Sequence, residues 1–258
     1  MNSKQPAAGP TSPASAGRDE AVKVHGRYCV IIPAYDAEAS IGALVKRIKE
    51  LGLTVLVVDD GSRDKTALAA SRSGALVLSH LKNRGKGSAL RTAFQYALRS
   101  QYDGVVTVDS DGQHAPADVL RLIQAGERQH AALVIGNRFA DGASSMPADR
   151  RQTNRWMSAF IAAVIRQPVA DSQCGLRMAR KELLASVNLK AQRFEIETEL
   201  ILAAARQKWK TIYVPVQAIY NNSPSHIHPF PDALRFLWTI GRFYFMPRSR
   251  PTPPAGKG

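Results

Sequence analysis

The sequence is poor in cysteine, has no long apolar run and lacks two common nucleotide-binding glycine motifs. Its two cysteines, Cys29 and Cys174, are not spaced as a CxxC pair, which argues against a disulfide framework and favours a reducing cytosol. No window of about 18 consecutive apolar residues occurs, so no transmembrane helix is expected. The N-terminus also lacks the apolar core of a secretory signal. Neither GxxxxGKS/T nor a GxGxxG after the first apolar run is present, which argues against a Walker A loop and a nicotinamide cofactor.

Acidic residues are few relative to basic ones, 21 against 35, and the net charge is +14. Such an excess indicates an anionic partner, which could be nucleic acid, an acidic membrane surface or a phosphorylated substrate. The basic residues are spread along the chain, and no known nucleic-acid-binding motif occurs. Nucleic acid is therefore not expected as a partner, and a basic nucleic-acid-binding protein is kept as the alternative that is not an enzyme.

Apolar runs alternate with amphipathic segments along most of the chain. The pattern predicts strands at 28–32, 53–58, 75–78, 104–108, 133–135, 175–179 and 211–220, and helices at 41–51, 64–73, 87–100, 116–129, 155–165, 194–206 and 232–245. Strands separated by helices predict an α/β fold with a mostly parallel, Rossmann-like sheet flanked by helices. We expect a single domain over residues 26–246, with flexible tails at 1–25 and 247–258.

Two pairs of carboxylates follow predicted strands. Asp109 and Asp111 come directly after one apolar run. Asp59 and Asp60 end another. The carboxyl ends of strands are where open α/β sheets bind ligands, and hard oxygen ligands of this kind suit Mg²⁺ or Mn²⁺. Either pair alone could be an ordinary turn or helix cap, but together they favour a metal-assisted enzyme that acts on a phosphorylated donor.

Basic residues and a second acidic cluster complete the candidate set. The loop 83–88 is glycine-rich, basic and precedes a predicted helix, which favours a phosphate cradle over a plain flexible turn. Arg138 follows a predicted strand, where it could bind a diphosphate or simply belong to a solvated basic face. Glu197 is one of three alternating acids at the start of a predicted helix. It is a candidate general base, and interaction with the helix dipole is the alternative.

Taken in order, these motifs resemble the family 2 glycosyltransferases of GT-A fold, and within them the polyprenyl-phosphate (dolichyl-phosphate) sugar transferase branch. The resemblance covers roughly residues 28–245 and rests on the segments 31–35 (IIPAY), 57–62 (VVDDGS), 85–87 (GKG), 109–114 (DSDGQH), 136–139 (GNRF) and 171–177 (DSQCGLR). It implies a GT-A nucleotide-diphospho-sugar transferase fold, with a nucleotide-binding half at 26–140 and an acceptor half at 141–246.

The resemblance also implies roles for individual residues. Those that would bind substrate are Pro33, Ala34, Tyr35, Glu38, Asp59, Asp60, Lys86, Arg138, Arg155 and Gln173. The first six would surround the base and ribose, Lys86 would lie near the nucleotide, and the two arginines near the donor or acceptor phosphates. Asp109 and Asp111 would hold Mg²⁺ or Mn²⁺ on the diphosphate, with Gln113 as a third ligand. Glu197 and Asp111 would be the catalytic residues, with Glu197 as the base.

The implied activity is an inverting transfer from a nucleotide diphosphate sugar to a polyprenyl phosphate or another lipid-linked acceptor at the membrane surface. A soluble-acceptor glycosyltransferase and a sugar nucleotidyltransferase are the alternatives, the first because the transmembrane segment of many lipid-directed relatives is missing. The basic, aromatic helix predicted at 232–245 favours contact with an anionic membrane. We therefore expect a cytoplasmic protein, peripheral on the inner face of the membrane. Asp36 stands where the family usually has Asn, which affects the expected donor contacts.

Overall fold

The structure is a computed structural model, and it describes residues 27–140, 146–217 and 238–243. The strands are β1 (Tyr28–Ala34), β2 (Thr54–Asp59), β3 (Leu76–Ser79), β4 (Gly104–Thr107), β5 (Leu133–Asn137), β6 (Arg177–Arg180) and β7 (Thr211–Pro215). The helices are α1 (Glu38–Lys49), α2 (Thr66–Arg72), α3 (Lys86–Arg99), α4 (Pro116–Gln129), α5 (Ala148–Ile165), α6 (Lys181–Ser186) and α7 (Glu195–Arg206). Residues 238–243 are also helical.

The described strands form one sheet in the order β3-β2-β1-β4-β6-β5-β7. β6 runs antiparallel to β4 and β5, whereas the other neighbouring pairs are parallel. Apolar side chains of the sheet and the helices that flank it form the core, in which most residues of β1, β2 and β4 are fully buried. The predicted α/β fold with a mostly parallel sheet flanked by helices is confirmed.

The parallel strands bring the candidate residues to one edge of the sheet. The β1–β2 register ends at the pair Ala34–Asp59, and Asp59 also pairs with Ser79 at the end of β3. The amide of Val108 donates to the carbonyl of Ile31 at 2.9 Å, so the chain leaves the sheet at the next residue, Asp109. The carboxyl ends of β1, β2, β3 and β4 therefore converge, as ligand-binding α/β sheets require.

Some element bounds differ from the sequence prediction. β1 continues to Ala34 instead of ending before Pro33, because its pairing with β2 continues while its pairing with β4 stops at Ile31. A proline lacks the amide needed to extend that second ladder. α5 begins at Ala148 rather than at residue 155, and the six-residue α6 was not predicted because it is too short to show helical periodicity.

The predicted tails and most of the predicted helix at 232–245 lie outside the described residues. Within the described ranges, no helix is both long and apolar enough to cross a membrane.

Arg177 links the antiparallel strand to the second half of the fold. It lies in β6 and is 2 % exposed. Its guanidinium donates to the carbonyls of Cys174 at 2.8 Å, Glu197 at 2.6 Å and Ser172 at 2.7 Å. Because buried carbonyls without donors are costly, this one side chain fixes α7 and the loop 171–175 against the sheet.

We expect Arg177→Leu to lower the free energy of unfolding by about 3–5 kcal/mol, because buried carbonyls lose their charged donor. Urea denaturation followed by circular dichroism measures the change. Arg128→Leu, at an exposed position on α4, is the matched control and should change stability by less than about 0.5 kcal/mol. Equal stabilities of the two variants would contradict a linking role for Arg177.

Candidate functional site

The candidate site is organised around the ammonium group of Lys86. Lys86 is the first residue of α3, and its Nζ lies 2.6 Å from Oδ1 of Asp109. The same Nζ lies 2.7 Å from Oε1 of Glu197 in the first turn of α7. One mostly buried cation therefore joins residues to which the sequence assigned nucleotide, metal and base roles separately.

The attraction within this cluster sets its charge states. Burial disfavours the ammonium form of Lys86, but the charges of Asp109 and Glu197 outweigh it, so the pKa of Lys86 is raised. Burial likewise opposes ionisation of Asp109, but Lys86 outweighs it and the pKa of Asp109 is lowered. Both groups are therefore charged at neutral pH.

Asp111 and Gln113 extend the cluster toward solvent. The exposed side chain of Asp111 accepts a hydrogen bond from the amide of Gln113 at 3.0 Å. Desolvation raises the pKa of Asp111, and the charge of Asp109 raises it further. A Cβ atom on Gly175 would lie 2.1 Å from Oδ2 of Asp109. Only glycine at position 175 therefore leaves room for the Asp109 carboxylate.

The chemistry of this cluster fits a divalent cation that is bound together with a substrate. In the part of the chain that the structure describes, no group of three or more His, Cys, Asp or Glu side chains is arranged to hold a metal. Mg²⁺ commonly takes one or two carboxylates and completes its shell with water and substrate phosphates. Asp109 and Asp111 supply such a pair. Together with Glu197, the cluster has three carboxyl groups and one ammonium group, that of Lys86. The assignment of Gln113 as a third ligand stays a prediction.

Asp60 anchors the turn that leads into α3. It is 2 % exposed, and its carboxylate accepts hydrogen bonds from the amides of Arg84 at 3.1 Å and Gly85 at 2.6 Å. Nδ1 of His80 lies 2.6 Å from Oδ1 of Asp60, and Nε2 lies 2.9 Å from the hydroxyl of Thr92. The structure thus shows Asp60 positioning the start of α3, while its contact with a nucleotide stays a prediction. The sequence analysis missed His80.

Other residues predicted at the nucleotide lie around the ends of β1 and β2: Pro33, Ala34, Tyr35, Glu38 and Asp59. Asp59 accepts a hydrogen bond from the amide of Ser62 at 3.1 Å, and Glu38 accepts one from the amide of Lys65 at 3.0 Å. Tyr35 is 37 % exposed, and Glu38 is exposed as well. Base stacking on Tyr35 is compatible with that exposure, and the nucleotide contacts of the whole group stay predictions.

The start of α3 does not form the open phosphate cradle that the sequence predicted. Gly85 has a φ of 92°, and a Cβ atom there would lie 2.5 Å from the carbonyl oxygen of Gln192. A Cβ atom on Gly87 would lie 2.7 Å from the carbonyl oxygen of Ala191. The amide of Ser88 donates to Gln192 at 3.1 Å. Because Gly85 and Gly87 have no side chains, the backbone of residues 191–193 can pack directly against them, and this packing brings Glu197 of α7 close to Lys86.

A second charged pair follows β5. Nε and Nη2 of Arg138 donate to the fully buried carboxylate of Asp171 at 2.7 and 2.9 Å. Asp171 also accepts a hydrogen bond from the amide of Gln173 at 3.1 Å, and the Gln173 side chain donates to the hydroxyl of Ser172 at 3.0 Å. This pair fixes the Arg138 guanidinium near the edge of the sheet. The sequence analysis gave Asp171 no role, although an acid within an otherwise neutral motif was a usable signal.

Arg155 and His114 lie beside these groups. The guanidinium carbon of Arg155 is 5.6 Å from the ring centroid of Phe139, which follows Arg138. The predicted phosphate contacts of Arg138 and Arg155 stay predictions.

His114 is 5 % exposed, and its Nδ1 has no hydrogen-bond partner among the described residues. Burial lowers the pKa of His114, so its ring is neutral at pH 7. Its place directly after Gln113 was the only sequence signal for it.

Comparisons with known proteins identify glycosyltransferases. The family model described as glycosyl transferase family 2 matches residues 29–187. The chain is 30% identical over 213 residues to UDP-N-acetylglucosamine–dolichyl-phosphate N-acetylglucosaminyltransferase of Methanococcus voltae, covering 74% of this chain and 85% of that protein. It is 28% identical over 215 residues to polyprenol monophosphomannose synthase of Mycolicibacterium smegmatis, covering 78% and 81%.

A solved structure shares the fold. It is the crystal structure of glucosyl-3-phosphoglycerate synthase from Mycobacterium tuberculosis in complex with Mn²⁺, uridine diphosphate and phosphoglyceric acid. The TM-score is 0.68 at 23% sequence identity, and the match covers 93% of this chain and 86% of that one.

We expect Lys86→Met to change how stability depends on pH. In the natural protein the pKa of Asp109 is lowered, so its ionised form stabilises the fold above the unfolded pKa of about 3.9, and this contribution is lost as pH falls through the folded pKa. Without Lys86, the burial that raises the Asp109 pKa is no longer outweighed by the lysine charge, so its ionisation destabilises the fold.

The stability difference between the natural protein and Lys86→Met should therefore widen as pH rises from about 3 to about 7. Urea denaturation at a series of pH values measures it. The double variant with Asp109→Asn is the control, since its stability should lose most of this pH dependence. Parallel profiles for the natural protein and Lys86→Met would show that Lys86 does not set the charge state of Asp109.

Proposed function

The chain belongs to glycosyl transferase family 2, and from this we propose that it transfers a sugar, with inversion, from a nucleotide diphosphate sugar to a polyprenyl phosphate or a similar lipid-linked acceptor. The predicted family and the predicted GT-A fold are confirmed by the comparisons. The observation that carries the proposal is the cluster of Lys86, Asp109 and Glu197 at the carboxyl edge of the sheet. The names of two relatives, which concern dolichyl phosphate and polyprenol, support the acceptor class.

The donor end of the site is suited to a departing diphosphate. Asp109 and Asp111 would hold Mg²⁺ or Mn²⁺, and the similar crystal structure in complex with Mn²⁺ and uridine diphosphate supports this assignment. The bound cation would neutralise charge on the leaving diphosphate. Lys86 lies against Asp109, where its positive charge can add to that stabilisation. Asp60 and the covered start of α3 keep Lys86 at this position.

The acceptor determines whether the site needs a general base. An oxygen of a lipid phosphate is already anionic and can attack the anomeric carbon directly, on the face opposite the leaving group. A hydroxyl acceptor would have to lose a proton, and Glu197 is the acid that lies within the cluster. Because Oε1 of Glu197 accepts a hydrogen bond from Lys86, its first role in our proposal is to position that lysine.

A phosphate-bearing soluble acceptor is the second candidate. The observation that favours it is the fold likeness to glucosyl-3-phosphoglycerate synthase, which was crystallised with phosphoglyceric acid. The guanidinium groups of Arg138 and Arg155 would suit the phosphate of either acceptor. The cytoplasmic location of the enzyme and its place on the inner face of the membrane stay predictions.

A donor and acceptor screen tests the proposal. The purified protein is incubated with Mg²⁺ or Mn²⁺, a panel of nucleotide sugars, and either a polyprenyl phosphate or a phosphorylated small acid. We expect release of nucleotide diphosphate that depends on the lipid acceptor. Dependence on the small acid would favour the second candidate. Release of pyrophosphate in a parallel incubation with a nucleoside triphosphate and a sugar 1-phosphate would indicate a sugar nucleotidyltransferase.

Asp109→Asn or Asp111→Asn should reduce transfer by about a hundredfold or more, because each amide keeps its size but loses the charge that holds the cation. Rates measured over a range of Mn²⁺ concentrations check this. Asp149→Asn, an exposed acid in the first turn of α5, is the control and should leave the rate unchanged. Near-normal turnover of the Asp111 variant at limiting Mn²⁺ would refute the metal assignment.

Glu197→Gln separates the two kinds of acceptor. The amide oxygen can still accept a hydrogen bond from Lys86, but it cannot take a proton. With a phosphate acceptor we expect a loss of less than about tenfold, whereas a hydroxyl acceptor would lose about 10² to 10⁴. The rates of the variant and the natural protein, measured with the same acceptor across neutral pH, decide between them.

A further inference from the structure

α5 is covered far less than the other long helices. Of its 18 residues, Ser158 and Ile161 are the ones that are buried. Its exposed positions include Gln152, Trp156, Ala159 and Ala163. They follow one another at spacings of three and four residues, so they share one face of the helix. Trp156 is 61 % exposed, which is unusual for so large an apolar side chain.

Positive charge surrounds this face. Arg155 and Arg166 are exposed, and Arg150 and Arg151 are partly exposed. These four arginines outnumber the acidic residue in the first turn of α5, the exposed Asp149. We call the group of Gln152, Arg155, Trp156, Ala159, Ala163 and Arg166 the α5 face. It combines a weakly polar stripe, one interfacial aromatic residue and flanking guanidinium groups, a pattern typical of helices that lie on anionic bilayers.

The described part of the C-terminal segment repeats this chemistry. Trp238 is 64 % exposed, and the guanidinium carbon of Arg242 is 5.2 Å from its ring centroid. The same short helix is attached to the domain, because the side chain of Arg206 in α7 donates to the carbonyl of Phe243 at 3.3 Å. α5 also packs against α7.

We propose that the α5 face docks on the surface of an anionic lipid bilayer. Charge complementarity selects this occupant: the chain carries a net charge of +14, and the face presents arginines around its exposed tryptophan. Tryptophan prefers the interface between water and hydrocarbon. Arginines there are each attracted to acidic head groups. This proposal builds on the proposed function but assigns a surface, which adjoins the candidate site at Arg155, to a partner of stated chemistry.

The geometry connects this surface to the candidate site. The hydroxyl of Ser158 in α5 accepts a hydrogen bond from the amide of Ser172 at 2.9 Å. Ser172 follows Asp171, which fixes Arg138. Arg155 lies over Phe139 next to Arg138. A bilayer on the α5 face would therefore lie one helix away from Arg138, on the side of the domain that carries this arginine.

Vesicle flotation tests the proposal with the full chain. One vesicle type contains equal parts of phosphatidylcholine and phosphatidylglycerol, and the other contains phosphatidylcholine alone. We expect binding to the acidic vesicles that weakens as salt is raised. Trp156→Ser should weaken it on the order of tenfold. Arg166→Glu should weaken it about fivefold for each unit of charge changed.

Matched controls sit elsewhere on the molecule. Leu68→Ser changes an apolar residue on α2 that is 44 % exposed, and Arg128→Glu reverses an exposed charge on α4. Both should float as the natural protein does. The proposal is overturned if the natural protein does not bind acidic vesicles at low salt, or if Trp156→Ser binds them as well as Leu68→Ser. A variant that floats normally but converts a dimer to a monomer would assign the face to a second copy of the chain.

An activity measurement keeps this proposal separate from the proposed function. Trp156→Ser should lose transfer to a polyprenyl phosphate embedded in acidic vesicles but keep transfer to a short, water-soluble polyprenyl phosphate. If the natural protein uses neither acceptor but floats through Trp156, the proposed function fails and the docking surface stands. Equal loss with both acceptors would show that Trp156 belongs to the reaction site and would overturn a docking role.

Discussion

The site depends on the pairing of one buried ammonium group with two carboxylates. Lys86, Asp109 and Glu197 come from α3, the end of β4 and α7. Bringing these charges out of water is unfavourable unless they are close and well paired. The surrounding structure meets that requirement: Asp60 holds the turn before Lys86, and Gly175 leaves space beside Asp109. The cluster is therefore held by packing and backbone contacts as much as by its own attraction.

This arrangement leaves the site open in one direction. The buried members are paired, while Asp111 is exposed and has a raised pKa because of desolvation and the charge of Asp109. A carboxylate that is destabilised by a nearby negative charge is stabilised when a cation binds beside it. In our proposal, negative charge in excess of the Lys86 ammonium would favour binding of a divalent ion, and the bound ion would in turn favour binding of a diphosphate.

Most of the fold followed from the sequence, because periodicity and strand-end motifs are local signals. The runs before Asp59 and Asp109 were recognisable as buried strands, and convergence of their carboxyl ends follows from parallel pairing. The position of β6 between β4 and β5 did not follow, since it depends on pairing between distant segments. For the same reason the contacts of Arg177 and Asp171 were missed, as was the backbone that covers the glycines at the start of α3.

Residue roles were harder to predict than residue identities. Lys86, Glu197 and Asp109 were each selected, but nothing in their sequence spacing shows that they share one hydrogen-bonded cluster. Glu38 and Asp59 were assigned to a nucleotide, and each also accepts a hydrogen bond from a backbone amide of the neighbouring loop, while their nucleotide contacts stay predictions. Acidic residues after strands serve both loops and ligands, and only the three-dimensional arrangement separates the two uses.

The insertion of β6 has a consequence for how the protein is made. β4 pairs with β1 on one side and with β6 on the other, and some 70 residues separate the two segments that meet at Thr107 and Arg177. During synthesis at about 5–20 residues per second, β4 therefore waits on the order of ten seconds as an unpaired sheet edge. Such edges are prone to pair with other chains. The order of strands thus ties completion of the sheet beside the candidate site to a late step of translation, after residues 177–180 have been made.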